Sequence, residues 1–189
     1  MPLVNQGRVV SLHAAHLARR PAADSCDGGD ERATRVWNGE RAGRFAAAIT
    51  GGGADARTTL TRAVESYLSA WSGVYTTVCE ATARGERSSE LRDLQMACLD
   101  QRLHDLDAVL SLLAAHPAAA GEVSVALARV PPPESCGEAQ ALMRRAAPAR
   151  EREHPEHTAL LKRLADAKAM VLLARVEDAE TAAVALAQE

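Results

Sequence analysis

The chain has 189 residues, 47% of them hydrophobic but only 3% aromatic, with a formal net charge of −3. Such a length accommodates one domain with a real core, and so few aromatic residues leave alanine and leucine to fill it, which favours close-packed helices over a sheet. Only two of the 22 basic residues are lysine and the overall charge is slightly acidic, so there is no basic footprint for nucleic acid.

Residues 1–30 are expected to be poorly ordered. The N-terminal stretch carries Arg8 and Arg19 without a continuous apolar core, unlike a signal peptide. Nowhere do about 20 consecutive apolar residues occur, so the chain is not expected to insert in a membrane. As a free-standing product it is expected in the cytoplasm.

A first core helix is predicted over 31–49, burying Val36, Trp37, Phe45 and Ile49, and ended by Thr50-Gly51-Gly52-Gly53. Two long amphipathic helices follow, over 57–83 and 89–115. The first lines one face with Leu60, Val64, Tyr67, Leu68, Trp71, Val74, Tyr75 and Val78. The second does so with Leu91, Leu94, Cys98, Leu99, Leu103, Leu106, Leu110 and Leu113. Between them Gly85 stops one helix and Ser88 or Ser89 caps the next.

A shorter helix over 118–129 is expected to run into Val130-Pro131-Pro132-Pro133, an extended strap because proline cannot continue a helix. Residues 137–147 form a short helix and 149–154 a charged linker. The last segment, 155–187, reads as two helical stretches with a break near 174–177. The predicted fold is therefore all-α, an irregular bundle over 31–148 around the long antiparallel hairpin, with a helix pair over 155–189.

Chemistry-bearing patterns are sparse. His13 and His16 are three residues apart, as are His154 and His157, but neither pair has a HExxH glutamate or a cysteine at zinc spacing. They read as solvated surface histidines, and His104 and His116 are isolated. The glycine-rich Thr50–Asp55 lacks the Gly-Lys-Ser/Thr ending of a phosphate loop and follows a helix, so it reads as a connection. Glu86, Glu90, Asp93 and Asp105 fall on positions expected to face solvent. No cofactor, metal or catalytic residue is predicted.

The cysteines form the most informative constellation. Cys26, Cys79, Cys98 and Cys136 contain no CxxC, which excludes a zinc ribbon. With about 1.5 Å of rise per residue, Cys79 lies about 35 Å and Cys98 about 25 Å below the top of the hairpin. That offset of about 10 Å disfavours a Cys79–Cys98 bridge, which needs Cα atoms within roughly 7 Å. A short helix plus an extended strap carries Cys136 to the height of Cys98, and Cys26 falls near Cys79. If oxidised, the pairs are Cys26–Cys79 and Cys98–Cys136. The alternative is four free thiols, two of them packed as small hydrophobes.

Together, Cys26, Val36-Trp37 with Arg41, Tyr67-x3-Trp71, Cys79-Glu80-Ala81-Thr82, Gly85-Glu86-x-Ser88, Leu94-x-Met96-x-Cys98-Leu99-Asp100-x-Arg102-Leu103 and the proline-rich approach to Cys136 form a pattern. It resembles the helical region between the kinase domain and the tetratricopeptide repeats of large bacterial serine/threonine protein kinases. Gln95 departs from that pattern, which has arginine there. Residues 164–187 are similar to a single tetratricopeptide-type helix pair, with Ala174 where the repeat prefers glycine and Val176 where it prefers tyrosine. A lone unit must pack on the preceding bundle or be the stump of an array that has been lost.

The kinase motifs themselves, Val-Ala-Ile-Lys, His-Arg-Asp and Asp-Phe-Gly, do not occur, so kinase activity is not implied. The chain is expected to be a shortened relative or truncated product of the larger architecture, and to be extracytoplasmic if it derives from a membrane-anchored kinase. What the resemblance implies is a non-catalytic regulatory or scaffolding module for a protein partner, with Lys162, Lys168 and Arg175 as its candidate contacts. The competing expectation is a disulfide-tied extracytoplasmic sensor that binds a small ligand between its helices.

Overall fold

The structure, a computed structural model, describes residue 26 and residues 28–145, 155–173 and 175–187. Where the apolar period predicts one helix over 31–49, two are present, α1 (Gly28–Val36) and α2 (Gly39–Ala48). Asn38 makes the break. Its backbone is extended, at φ −137° and ψ 175°, and its side chain accepts the N–H of Arg41. That satisfies an orphan donor of α2, the ordinary N-cap role of asparagine. Helix α1 also begins at Gly28, earlier than the period suggests, because its glycines let it lie on Tyr75. A Cβ at Gly29 would come within 2.9 Å of Cδ1 of that ring.

After α2 the strand β1 (Ile49–Thr50) pairs in parallel with β2 (Ala118–Ala119), Ile49 opposite Ala118. This pairing takes the two residues that periodicity assigns to the next short helix, and a two-residue strand leaves no period to read. Gly52 has φ +70°, and a Cβ there would sit 2.6 Å from the Ala56 Cβ and 3.1 Å from that of Ala120. Only glycine adopts that conformation without strain. It lets α3 (Gly53–Ala83) start four residues earlier than predicted, beside α5 (Ala120–Arg129).

Helix α4 (Ser89–Ala115) returns alongside α3, with Ser88 as its cap; the Ser88 hydroxyl accepts the Leu91 N–H at 3.2 Å. The predicted apolar faces meet. Leu60, Val64, Leu68, Trp71 and Val78 are buried on α3, and Leu94, Leu99, Leu103, Leu106, Leu110 and Leu113 on α4. Trp71 is the centre of this seam, 0% exposed. Its indole N–H donates to the Leu99 carbonyl at 2.7 Å, so burial of the largest side chain leaves no polar atom unsatisfied. Phe45 and Ile49 close the core from α2, with Trp37 edge-on to Phe45 at 5.4 Å.

Beyond α5 the backbone of Val130 and Pro132 is extended, as the prolines require. A 3₁₀ turn at Pro133–Gly137 then delays α6 to Ala139–Arg145. Helix α7 (Pro155–Leu172) packs along α4, and α8 (Val176–Ala187) packs on α7. The buried contacts of α7 with the core are made by Ala165 and Ala169, with Leu172 half-buried against it. Helix α4 is thus covered on two sides, by α3 and by α7.

Candidate functional site

All four cysteines are bonded. Cys26 joins Cys79 with Cα atoms 5.7 Å apart, and Cys98 joins Cys136 at 5.6 Å. These are the two pairs to which the height argument leads. The first ties the approach to α1 onto the end of α3; the second ties the 3₁₀ turn onto α4. Cys136 is fully buried, and so is Gln95, whose amide donates to the Cys136 carbonyl at 3.0 Å and the Gly137 carbonyl at 3.3 Å. The Gln95 oxygen accepts from Arg87 at 2.5 Å. Gln95 therefore gives a donor to the buried Cys136 carbonyl and to the half-buried carbonyl of Gly137.

One turn before that, the Tyr67 hydroxyl lies 3.0 Å from the Pro131 carbonyl and 3.3 Å from that of Arg102. Burial pushes this hydroxyl well above its ordinary pKa, so it stays a donor. A disulfide, an amide and a phenol hold the strap at successive points.

The N-terminal staple is backed by a stack. Trp71 lies against Tyr75 with centroids 5.5 Å apart, and the Arg32 guanidinium sits 5.6 Å from the Tyr75 centroid. Arg32 also reaches Asp100 on α4 at 2.5 Å. Burial raises the Asp100 carboxyl above its usual range, opposed by the nearby Arg32 and His104. Arg41 does the same work for α2, pairing with Asp107 at 2.6 Å and donating to the Ser111 hydroxyl at 2.7 Å.

Asp105 corrects the sequence reading. It was expected on a solvated face, and Glu86, Glu90 and Asp93 are indeed exposed, but Asp105 is only 6% exposed. Helix α7 covers the face that single-sided amphipathicity assigns to water. The carboxylate accepts from the Gln101 amide at 2.9 Å and from Arg102 at 3.0 Å. The Lys168 ammonium stands 3.9 Å from its Oδ1. The missed signal is the run Ala108-Val109-Leu110, all buried, since consecutive apolar residues mark a helix covered on more than one side.

Of the three predicted contact residues, Lys168 thus points to the α4–α7 seam. Arg175 pairs with Asp178 at 2.5 Å, and Lys162 is exposed. The C-terminal pair also exposes Leu160, Leu164, Val171 and Val184. His157 is half-buried on α7, whereas His13, His16 and His154 lie outside the described residues. Among the described residues no group of three metal-binding side chains comes together.

No protein-family model matches this chain, and neither a curated protein nor a solved structure matches it. Among the described residues no helix is long and apolar enough to cross a membrane.

Proposed function

We infer that the chain is a non-catalytic regulatory or scaffolding module that works in an oxidising, extracytoplasmic compartment and offers a helical surface to a protein partner. The observation that carries this reading is the pair of disulfides, each joining a peripheral segment to the central hairpin. Such bridges persist in oxidising compartments and are rare in reducing ones. The resemblance of the segments around Cys79 and Cys98 to kinase-associated helical regions supports a signalling role. The C-terminal pair, taken as one tetratricopeptide-type unit, supplies the surface, with Leu160, Leu164 and Val184 outward beside Lys162.

The test is a thiol titration in denaturant on protein exported to an oxidising compartment and purified without reductant. The expected result is no free thiol, with peptide mapping that joins Cys26 to Cys79 and Cys98 to Cys136. Folded protein with four titratable thiols overturns the compartment. For the surface, a photo-crosslinker at Leu164 should give a discrete adduct in the producing cell and one at the exposed Thr58 of α3 should not. Equal labelling from both positions removes the C-terminal pair as the contact face.

A further inference from the structure

A cleft of about 270 Å³ opens between α4, the strap and α7. Its walls are apolar, made by Val130, Pro131, Ala169 and Leu172, and three charged residues line it, Asp105, Lys168 and Arg129. The charges do not cancel. Asp105 is buried and already bonded by Arg102 and Gln101, so its negative charge is balanced from the α4 side. The Lys168 ammonium is beyond hydrogen-bond length from Asp105 and its side chain is 50% exposed. Arg129 is exposed and pairs with no described carboxylate. Two cations are therefore left facing an apolar cavity. Each of their N–H groups favours an anionic acceptor, and a charge-assisted bond beside low-dielectric walls is stronger than one in water.

We propose that this cleft is a binding site for a small amphipathic carboxylate, its anionic head between Lys168 and Arg129 and its aliphatic body against Val130, Ala169 and Leu172. The volume lies just below the range of drug-sized pockets, which limits the ligand to on the order of ten heavy atoms. The site also explains why α7 meets α4 through alanine. Larger side chains at Ala165 and Ala169 would fill the space, while small ones leave it open beside a buried charge.

The test uses the full chain with ¹³C-labelled alanine methyls, titrated with octanoate, octanol and octylammonium, each below its aggregation limit. The Ala165 and Ala169 methyl signals are expected to shift and saturate with octanoate, with octanol at least about tenfold weaker and octylammonium weaker still. Lys168→Gln and Arg129→Gln should each weaken octanoate about tenfold and leave octanol unchanged. Arg129→Glu, at an exposed rim position, should move the preference toward octylammonium. Failure of all three probes to saturate these methyls overturns the site. Saturation with equal affinities for the three, or octanoate binding indifferent to both glutamine variants, overturns the anion selectivity that defines it.

Discussion

The stapled bundle, Cys26 with residues 28–137, and the helix pair over 155–187 solve the same problem with different materials. The bundle has every aromatic residue of the chain, both disulfides and a seam of large side chains centred on Trp71. The pair has no cysteine and no aromatic residue, and buries Ala165, Ala167, Ala169 and Ala179. Alanine brings helices close together but removes little apolar area from water, on the order of a third of what a leucine removes. The difference teaches where the protein opens first. Its C-terminal pair rests on small contacts and the Asp105 cluster, whereas separating α3 from α4 requires exposing Trp71.

That contrast can be broken most directly at the staples. Loop-closure entropy assigns about 4 kcal/mol to each bridge, together comparable with the whole stability of a domain of this size. Reduction should therefore unfold the bundle at a temperature where the oxidised protein stays folded, read by circular dichroism with and without reductant. The double substitution Cys98→Ser with Cys136→Ser should lower Tm by about 10 °C under non-reducing conditions. An unchanged Tm would show that the strap is held by Gln95 and Tyr67 alone.

The next largest effect is Trp71→Ala, expected to cost about 4 kcal/mol in chemical denaturation because it leaves a cavity at the centre of the seam and removes the indole bond to the Leu99 carbonyl. On the other side of α4, Asp105→Ala should cost about 3 kcal/mol, since the half-buried Arg102 loses the carboxylate that compensates it and Gln101 its acceptor. Hydrogen exchange sharpens the comparison. Asp105→Ala should raise exchange in α7 and α8 before α3, and uniform acceleration would mean that the two regions unfold as one. Gly52→Ala, at φ +70° and in contact with Ala56 and Ala120, should cost about 2 kcal/mol, measured by thermal unfolding.

The smallest effect is a slope. Burial holds the Asp100 carboxyl above its usual range, so the folded chain binds that proton at a higher pH than the unfolded chain. This group therefore favours the fold on the acid side of its raised pKa, and the benefit is lost as pH rises through it. Asp100→Asn should flatten stability against pH just above the ordinary carboxylate value of about 3.9. At neutral pH it should change stability by less than about 1 kcal/mol, because the half-exposed pair with Arg32 is screened by water. A wild-type curve that rises steadily through this range and is unaltered in the variant would discard the assignment.

Much of this architecture was legible in the chain because helices advertise themselves through period. The ends of α4 and the break before α8 follow from Ser88 and from the interruption near residue 174. Which cysteines pair, if they pair at all, was readable from helix rise and the reach of the extended strap, since the hairpin is long enough for an offset of about 10 Å to disfavour one connectivity. That they are oxidised was not, because four thiols fit the same pattern. What escaped were features made by a third element. Asn38 interrupts an apolar pattern that continues on both sides of it. Asp105 obeys the hairpin's amphipathic pattern and is buried only because α7 docks where water was expected. The cleft shares that origin, since Asp105 and Lys168 are 63 residues apart in sequence and meet only across the α4–α7 seam. Gln95 is likewise buried only because the turn after the strap docks on it, and its oxygen accepts from Arg87, two residues before α4.

The bridges also have an order. Cys26 pairs with the next cysteine along the chain and Cys98 with the one after it, so the loop from 26 to 79 is complete before residue 98 begins the second. A polypeptide threaded N-terminus first through a membrane channel presents Cys26 and Cys79 to an oxidant while the later pair is still on the far side. Each thiol then meets its proper partner as the first available one. For a chain exported in this way, an oxidase without an isomerase is expected to suffice.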